Sequence, residues 1–363
     1  MIKPSNQGRI SSNNMKTGKS DNQRQGGCLL RWEITRKCLL GCKHCSLRGR
    51  RFGKELSYNE CLEVLANFRG FLHQNNLAGR IIFTGGDPLL RRDFLDILEA
   101  ASEYQRNGVI DRIAIDGNAS KITPAIAGRL KSAGISYYTF SLDGLENRHD
   151  SLRQPGNFQQ TISALRCLKE IGIKTKVNFT ISRVNAGELG DCLRLLINEG
   201  ISIFTFNLLK PLGGGVNFKS DLISPLEYRT VLIELIGLLD EIPGISSYFR
   251  RSLLACDNLF ARAYYELGRL EKYRKITDSP DFSPDDFPQG SIIRIYWGEP
   301  VTYDFFTWKY KNWKQEMSRR IREASGKIEK CMPCPVKPHC HKTIRIGYSC
   351  DGVLNPLCWA ATS

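Results

Sequence analysis

Residues 29–45 read LLRWEITRKCLLGCKHC. An apolar-rich run at 29–35 has the length and bulk of a buried strand. The loop that follows it carries Cys38, Cys42 and Cys45 within eight residues. Three thiolates so spaced can hold one face of a cubane iron–sulfur cluster and leave the fourth iron without a protein ligand. A small chelating molecule can take that open position. Gly41 gives the loop the backbone freedom to curl around such a group. The competing readings are a structural zinc site and three unrelated thiols. Structural zinc takes four protein ligands, and this run offers three.

Outward from this stretch the chain alternates strand-like and helix-like segments. Strands are predicted at 29–35, 80–84, 111–115, 136–142, 174–181 and 203–208. Helices are predicted at 57–75, 91–106, 123–133, 158–171, 187–199 and 225–241. Six βα units in succession imply a parallel sheet with right-handed crossovers. The strands are short and largely apolar, as expected when both faces are covered. The predicted fold class is α/β, a partial (β/α)6 TIM-type barrel spanning 28–241, with chemistry at the C-terminal ends of the strands. Residues 1–27 are polar and basic (Lys3, Arg9, Lys16, Lys19, Arg24) and predict a disordered tail. Residues 242–330 read as a helical and loop connector, with helices at 257–275 and 311–326 and a Pro- and Asp-rich loop at 276–290. Residues 331–363 form a small cysteine-rich unit.

Further motifs fall at the ends of the predicted strands. The second ends in Thr84-Gly85-Gly86-Asp87-Pro88, the third in Asp116-Gly117-Asn118, and the fourth in Ser141-Leu142-Asp143-Gly144. His149, Asp150 and Arg153 follow, and the fifth strand contributes Asn178 and Thr180. Paired glycines permit close backbone approach, and a carboxylate there can receive an ammonium group. Read as residues alone, Asn178 and Thr180 could equally be satisfied within the barrel. His149 and Asp150 read better as a helix N-cap region than as catalytic groups.

Taken together, 28–215 resembles the radical SAM superfamily, whose signature is three cysteines separated by three and then two residues. The resemblance implies a [4Fe–4S] cluster on Cys38, Cys42 and Cys45 whose open iron binds S-adenosylmethionine (SAM). One electron then splits the sulfonium and yields a 5′-deoxyadenosyl radical. Gly85, Gly86, Asp87 and Pro88 resemble the family's Gly-Gly-Glu-Pro element, with Asp87 in place of the commoner Glu. His44 stands where the family usually has an aromatic residue near the adenine. Asn118, Ser141, Arg153 and Asn178 are the remaining implied SAM contacts, the last three at its carboxylate or ribose.

A second cysteine group lies at the C-terminus: Cys331, Cys334, Cys340, Cys350 and Cys358, five in 28 residues. Residues 344–358 read as a hairpin turning at Asp351-Gly352, which returns Cys358 beside Cys340. This resembles the SPASM or twitch extension of radical SAM enzymes. It implies one auxiliary [4Fe–4S] cluster on Cys331, Cys334, Cys340 and Cys358, with Cys350 as a fifth or substitute ligand. A full SPASM domain has seven cysteines and places its hairpin before the CxxC pair; here the pair comes first. A zinc ribbon remains open on the same residues.

The chain has 363 residues, 13 cysteines and a formal net charge of +15. An odd cysteine count at short spacings reads as metal ligation in a reducing compartment rather than a disulfide framework. No apolar run is long enough for a membrane span and no signal peptide is evident, so a cytoplasmic location is expected. Cys61, Cys167 and Cys192 lie in helix patterns as small buried hydrophobes; Cys28 and Cys256 are undecided. The leading expectation is a radical SAM enzyme that modifies a C–H bond of a ribosomally made peptide. A flavodoxin or ferredoxin would serve as electron donor. A small-metabolite substrate is the alternative, and Arg48, Arg50, Arg51 and Lys54 beside the cysteine loop would suit a phosphorylated one. A zinc-binding nucleic-acid protein also fits the charge and the CxxC pair. It leaves the first cysteine loop unexplained, so nucleic acid is not the expected partner.

Overall fold

Helix starts are written locally into this chain. Ser57 and Glu60 form a reciprocal capping box at the head of α1 (Tyr58–Gln74), and Ser224 with Glu227 repeats it at α7 (Pro225–Glu241). Thr123 caps α3 (Pro124–Ser132), where Pro124 supplies a preset first-turn φ. Between these lie α2 (Phe94–Arg106), α4 (Glu146–Leu152), α5 (Asn157–Glu170) and α6 (Leu189–Asn198). The computed structural model describes residues 27–49, 54–243, 245–254, 259–277 and 290–295. The N-terminal tail, the 311–326 helix, the 344–358 hairpin, Cys256 and all five C-terminal cysteines lie outside the described residues.

All six expected strands are present, with ends within two residues of expectation: β1 (Gly27–Thr35), β2 (Ala78–Gly85), β3 (Ile110–Asp116), β4 (Tyr137–Ser141), β5 (Thr175–Ile181) and β6 (Ile203–Leu208). They pair in parallel in sequential order. A further strand, β7 (Gly290–Ile295), pairs in parallel with the free edge of β1. No strand was expected there, because the apolar run sits next to a Pro- and Asp-rich stretch. The helix expected at 257–275 is two helices, α9 (Leu259–Glu266) and α10 (Leu270–Thr277), which follow α8 (Ser247–Leu254). They part at Gly268, whose φ of 68° ends the first helix in the left-handed region open to glycine.

β4 and β6 are buried on both faces over their first four residues, whereas β5 is apolar on one face only. Along β5, Thr175, Val177, Phe179 and Ile181 are buried, while Lys176, Asn178 and Thr180 stay partly exposed. The outward face packs on the helices around Trp32, Phe83 and Phe94, with the last two edge to face at 5.4 Å. The inward face holds only a small separate apolar cluster, Ala114, Tyr137 and Ile203 with Ile82. A partial barrel leaves its interior open, so that face carries polar side chains. The buried outer face supplies most of the stabilisation, at roughly 25 cal/mol per Å² of apolar surface removed from water.

Candidate active site

The loop that leaves β1 is pinned on three sides by backbone hydrogen bonds. From the β2 end, Gly86 N donates to Thr35 O at 2.9 Å and Asp87 N to Lys37 O at 2.7 Å. From α4, Leu152 O accepts from Lys43 N at 2.8 Å; from the segment after β6, Gly214 N donates to Cys45 O at 2.8 Å. The glycines are required by contact. A Cβ on Gly86 would stand 2.2 Å from Lys37 O, and one on Gly214 the same distance from Lys43 O. Gly85 and Gly86 thus let the turn lie against the cysteine loop itself. The Gly213-Gly214-Gly215 run was not singled out from the sequence. Three consecutive glycines at a strand's C-terminal end were the signal.

The three thiols lie close enough to influence one another. Burial pushes the Cys38 and Cys42 thiols up, and repulsion from neighbouring thiols adds to it. Asn118 Nδ2 donates to Cys38 Sγ at 3.6 Å, and Arg153 Nη1 to Cys42 Sγ at 3.5 Å. Among the described residues no three His, Cys, Asp or Glu side chains converge on one point as ligands of a single ion. A cubane presents a separate iron to each thiolate, so its ligands do not need to converge. The donor set of three neighbouring thiols on one pinned loop fits such a cluster.

Asp87 is fully buried. Its Oδ1 accepts from Leu89 N at 3.3 Å and caps the 3-10 turn Pro88–Leu90, while its Oδ2 is buried without a partner among the described residues. Burial pushes its carboxyl up to about 7. An orphaned carboxyl oxygen beside the cysteine loop fits a ligand that brings its own donor or cation. The Asn118 backbone N–H lies beside the Asp87 carboxyl and opposes part of the upward push of burial, while Asn118 Oδ1 accepts from Ser120 N at 2.8 Å.

On the opposite side Asp143 is also fully buried and fully partnered. It accepts from Arg153 Nε at 2.7 Å, from His44 Nε2 at 3.1 Å and from Thr180 N at 2.8 Å. Burial alone would raise its carboxyl, but Arg153 and His44 outweigh that and hold it well below the ordinary range. His44 Nδ1 is buried with no partner among the described residues. His149 lies inside α4, its Nδ1 accepting from Asp143 N at 3.1 Å and its Nε2 facing Asn157 Oδ1 at 2.9 Å. Asp150 accepts from Gly156 N and Phe158 N, so it caps the start of α5. Asp150 thus caps a helix start, as the capping reading expected, whereas His149 caps none and instead holds the Asp143 backbone from within α4.

The remaining expected contacts sit at the mouth of the barrel. Ser141 pairs in register with Asn178 across β4 and β5. Asn178 Oδ1 accepts from Asn207 Nδ2 at 2.6 Å and from Thr205 Oγ1 at 3.3 Å. Asp116, deeper in, meets Arg31 at 2.7 Å. Cys38, Cys42, Cys45, His44, Gly85, Gly86, Asp87, Pro88, Asn118, Ser141, Arg153 and Asn178 thus gather at one end of the sheet. Cys61 and Cys192 are buried in helices, as expected of small hydrophobes, and Cys28 is buried in β1.

Residues 32–196 match the radical SAM superfamily. The chain is 32% identical over 208 residues to the AdoMet-dependent heme synthase of Nitratidesulfovibrio vulgaris, covering 56% of this chain and 54% of that protein. It is 26% identical over 236 residues to the mycofactocin maturase MftC of Mycolicibacterium smegmatis, covering 64% and 57%. The chain spans about half the length of the curated relatives it matches. The fold is shared with SuiB of Streptococcus suis bound to S-adenosylmethionine, at a TM-score of 0.51 and 17% identity over 60% of this chain and 48% of that one. Among the described residues no helix is long and apolar enough to cross a membrane. The cysteine loop and the sequence likenesses agree on one conclusion: residues 32–196 of this chain are a radical SAM superfamily domain.

Proposed function

We propose that this chain binds a [4Fe–4S] cluster on Cys38, Cys42 and Cys45, splits SAM reductively there, and modifies a C–H bond of a ribosomally made peptide. The observation that carries the first part is the pinned loop of three adjacent thiols facing the orphaned Asp87 oxygen. When bound, the cluster supplies the electron that converts SAM to methionine and a 5′-deoxyadenosyl radical. The chain's own residues bind and orient. Asp87 Oδ2 receives the SAM ammonium, which supplies the missing partner. Gly85, Gly86 and Pro88 shape the turn that carries Asp87. Ser141 and Asn178 offer polar groups at the mouth for the SAM carboxylate or ribose, and Asn118 and His44 close its sides. The electron comes from a flavodoxin or ferredoxin.

Peptide as substrate is supported by the likeness to MftC, a maturase, which extends over 64% of this chain. A second reading is favoured by the higher identity, 32%, to an AdoMet-dependent heme synthase. On that reading the substrate is a heme precursor. Cys331, Cys334, Cys340 and Cys358, with Cys350 as a substitute, are proposed to hold one auxiliary cluster.

Anaerobic reconstitution with iron and sulfide counting tests the assignment. The native chain is expected to form 5′-deoxyadenosine from SAM. A Cys38→Ala/Cys42→Ala/Cys45→Ala variant is expected to form none and to keep only the auxiliary iron. Equal product from both would remove the proposal, and zinc without iron or sulfide would replace it with a zinc protein. Faster 5′-deoxyadenosine release with a candidate precursor peptide, and not with a heme precursor, supports the peptide reading. The reverse result selects the other.

A further inference from the structure

Among the described residues two side chains donate to the sulfurs of the cysteine loop, and they differ in charge. Asn118 offers a neutral amide to Cys38 Sγ; Arg153 offers a guanidinium to Cys42 Sγ at 3.5 Å. Arg153 caps the C-terminus of α4, and its side chain is 11% exposed, so water screens little of its charge. Its Nε is held at 2.7 Å by Asp143, whose side chain is fully buried. The carboxylate is anchored in turn by Thr180 N, and Asn185 Nδ2 donates to the Asp143 carbonyl. The guanidinium is therefore fixed between one carboxylate and one cysteine sulfur, 111 residues from the latter in sequence.

We infer that Arg153 is a positioning residue that sets the reduction potential of the cluster on Cys42, with Asp143 limiting the charge it presents. The inference rests on the reading of the cysteine loop given above. A reduced cluster carries one more negative charge than an oxidised one. A cation hydrogen-bonded to a ligand sulfur favours the reduced state, and hydrogen bonds to cluster sulfurs are an established lever on potential. Asp143 offsets part of that cation. Removing Arg153 leaves a buried carboxylate and lowers the potential. Neutralising Asp143 leaves the cation unopposed and raises it. A purely structural role, loosening the loop, would move both variants the same way or release iron from both.

The test uses the full chain, reconstituted anaerobically, in a mediated titration with dithionite as reductant. The electron paramagnetic resonance signal that changes on adding SAM is followed, which separates this cluster from any other. Arg153→Met is expected at lower potential than wild type and Asp143→Asn at higher, with equal iron. Arg153→Lys, which keeps the charge, is expected between wild type and Arg153→Met. Shifts of the same sign in Arg153→Met and Asp143→Asn, or unchanged potentials at equal iron, would overturn the inference. If Asp143→Asn does not fold, the Lys and Met variants decide: equal potentials overturn it. Iron lost from Arg153→Lys overturns it in favour of packing. A native chain with no SAM-responsive signal removes the cofactor reading itself, a failure distinct from the others.

Discussion

Asp87 after β2 and Asp143 after β4 stand on opposite sides of the cysteine loop, both fully buried. Burial drives Asp87 up to about 7, whereas Arg153 and His44 overcome burial at Asp143 and hold it well below the ordinary range. The β2 side is joined to the loop by backbone hydrogen bonds and glycine contacts. The β4 side adds charged and polar side chains to a single backbone bond, from Lys43 N to Leu152 O. The difference teaches that the Asp143 carboxylate is fully partnered within the protein, while Asp87 keeps a carboxyl oxygen for a partner that arrives with the ligand. Two carboxyls pushed apart in this way take different roles.

The comparison breaks most visibly at Asp143. Asp143→Ala leaves the Arg153 charge buried without its carboxylate, and a loss of about 3–5 kcal/mol is expected in urea unfolding of the cluster-free protein. Asp87 carries the opposite sign. The folded chain keeps a proton that the unfolded chain releases near pH 3.8. Stability of the cluster-free protein therefore falls through Asp87 as pH rises from about 4 to about 7, by up to about 4 kcal/mol at 1.36 kcal/mol per unit. Asp143, with its carboxyl lowered, contributes stability that is constant in this window and lost only at more acid pH. His149, held neutral by burial and by Arg153, slopes the other way below pH 6.5. The difference between wild-type and Asp87→Asn stability curves isolates the Asp87 share. Parallel curves would dismiss it.

Gly86→Ala sharpens the backbone side of the comparison. Its Cβ would meet Lys37 O at 2.2 Å, so the turn must shift, costing about 1–3 kcal/mol and lowering the iron retained after reconstitution. Unchanged iron and stability would show that the turn is free to move. The smallest effect is expected far from both sides. Ser57→Ala removes the α1 cap and costs about 1 kcal/mol in urea unfolding, with iron content unchanged.

Local patterns carried much of this in advance. The six strands, the main helices and the cysteine loop follow from apolar period, capping residues and spacing, all of which act within a few residues. Pattern did not disclose that the inward face of β5 is polar, because Lys176, Asn178 and Thr180 alternate with a run apolar enough to suggest burial on both sides. Nor did it disclose β7, whose place in the sheet depends on the free edge of β1.

By itself the sequence determined the kind of site: three thiols on a short loop at the end of a first strand, followed by strand ends rich in glycine and polar groups. Only the tertiary structure decided which groups face those thiols. Arg153 reaches the Cys42 sulfur and Asn118 the Cys38 sulfur, and Gly214 N holds the Cys45 backbone carbonyl, all from segments far along the chain. Such pairings depend on Coulomb attraction and steric fit between elements that only the parallel sheet brings together, and these forces leave no periodic trace in the order of residues.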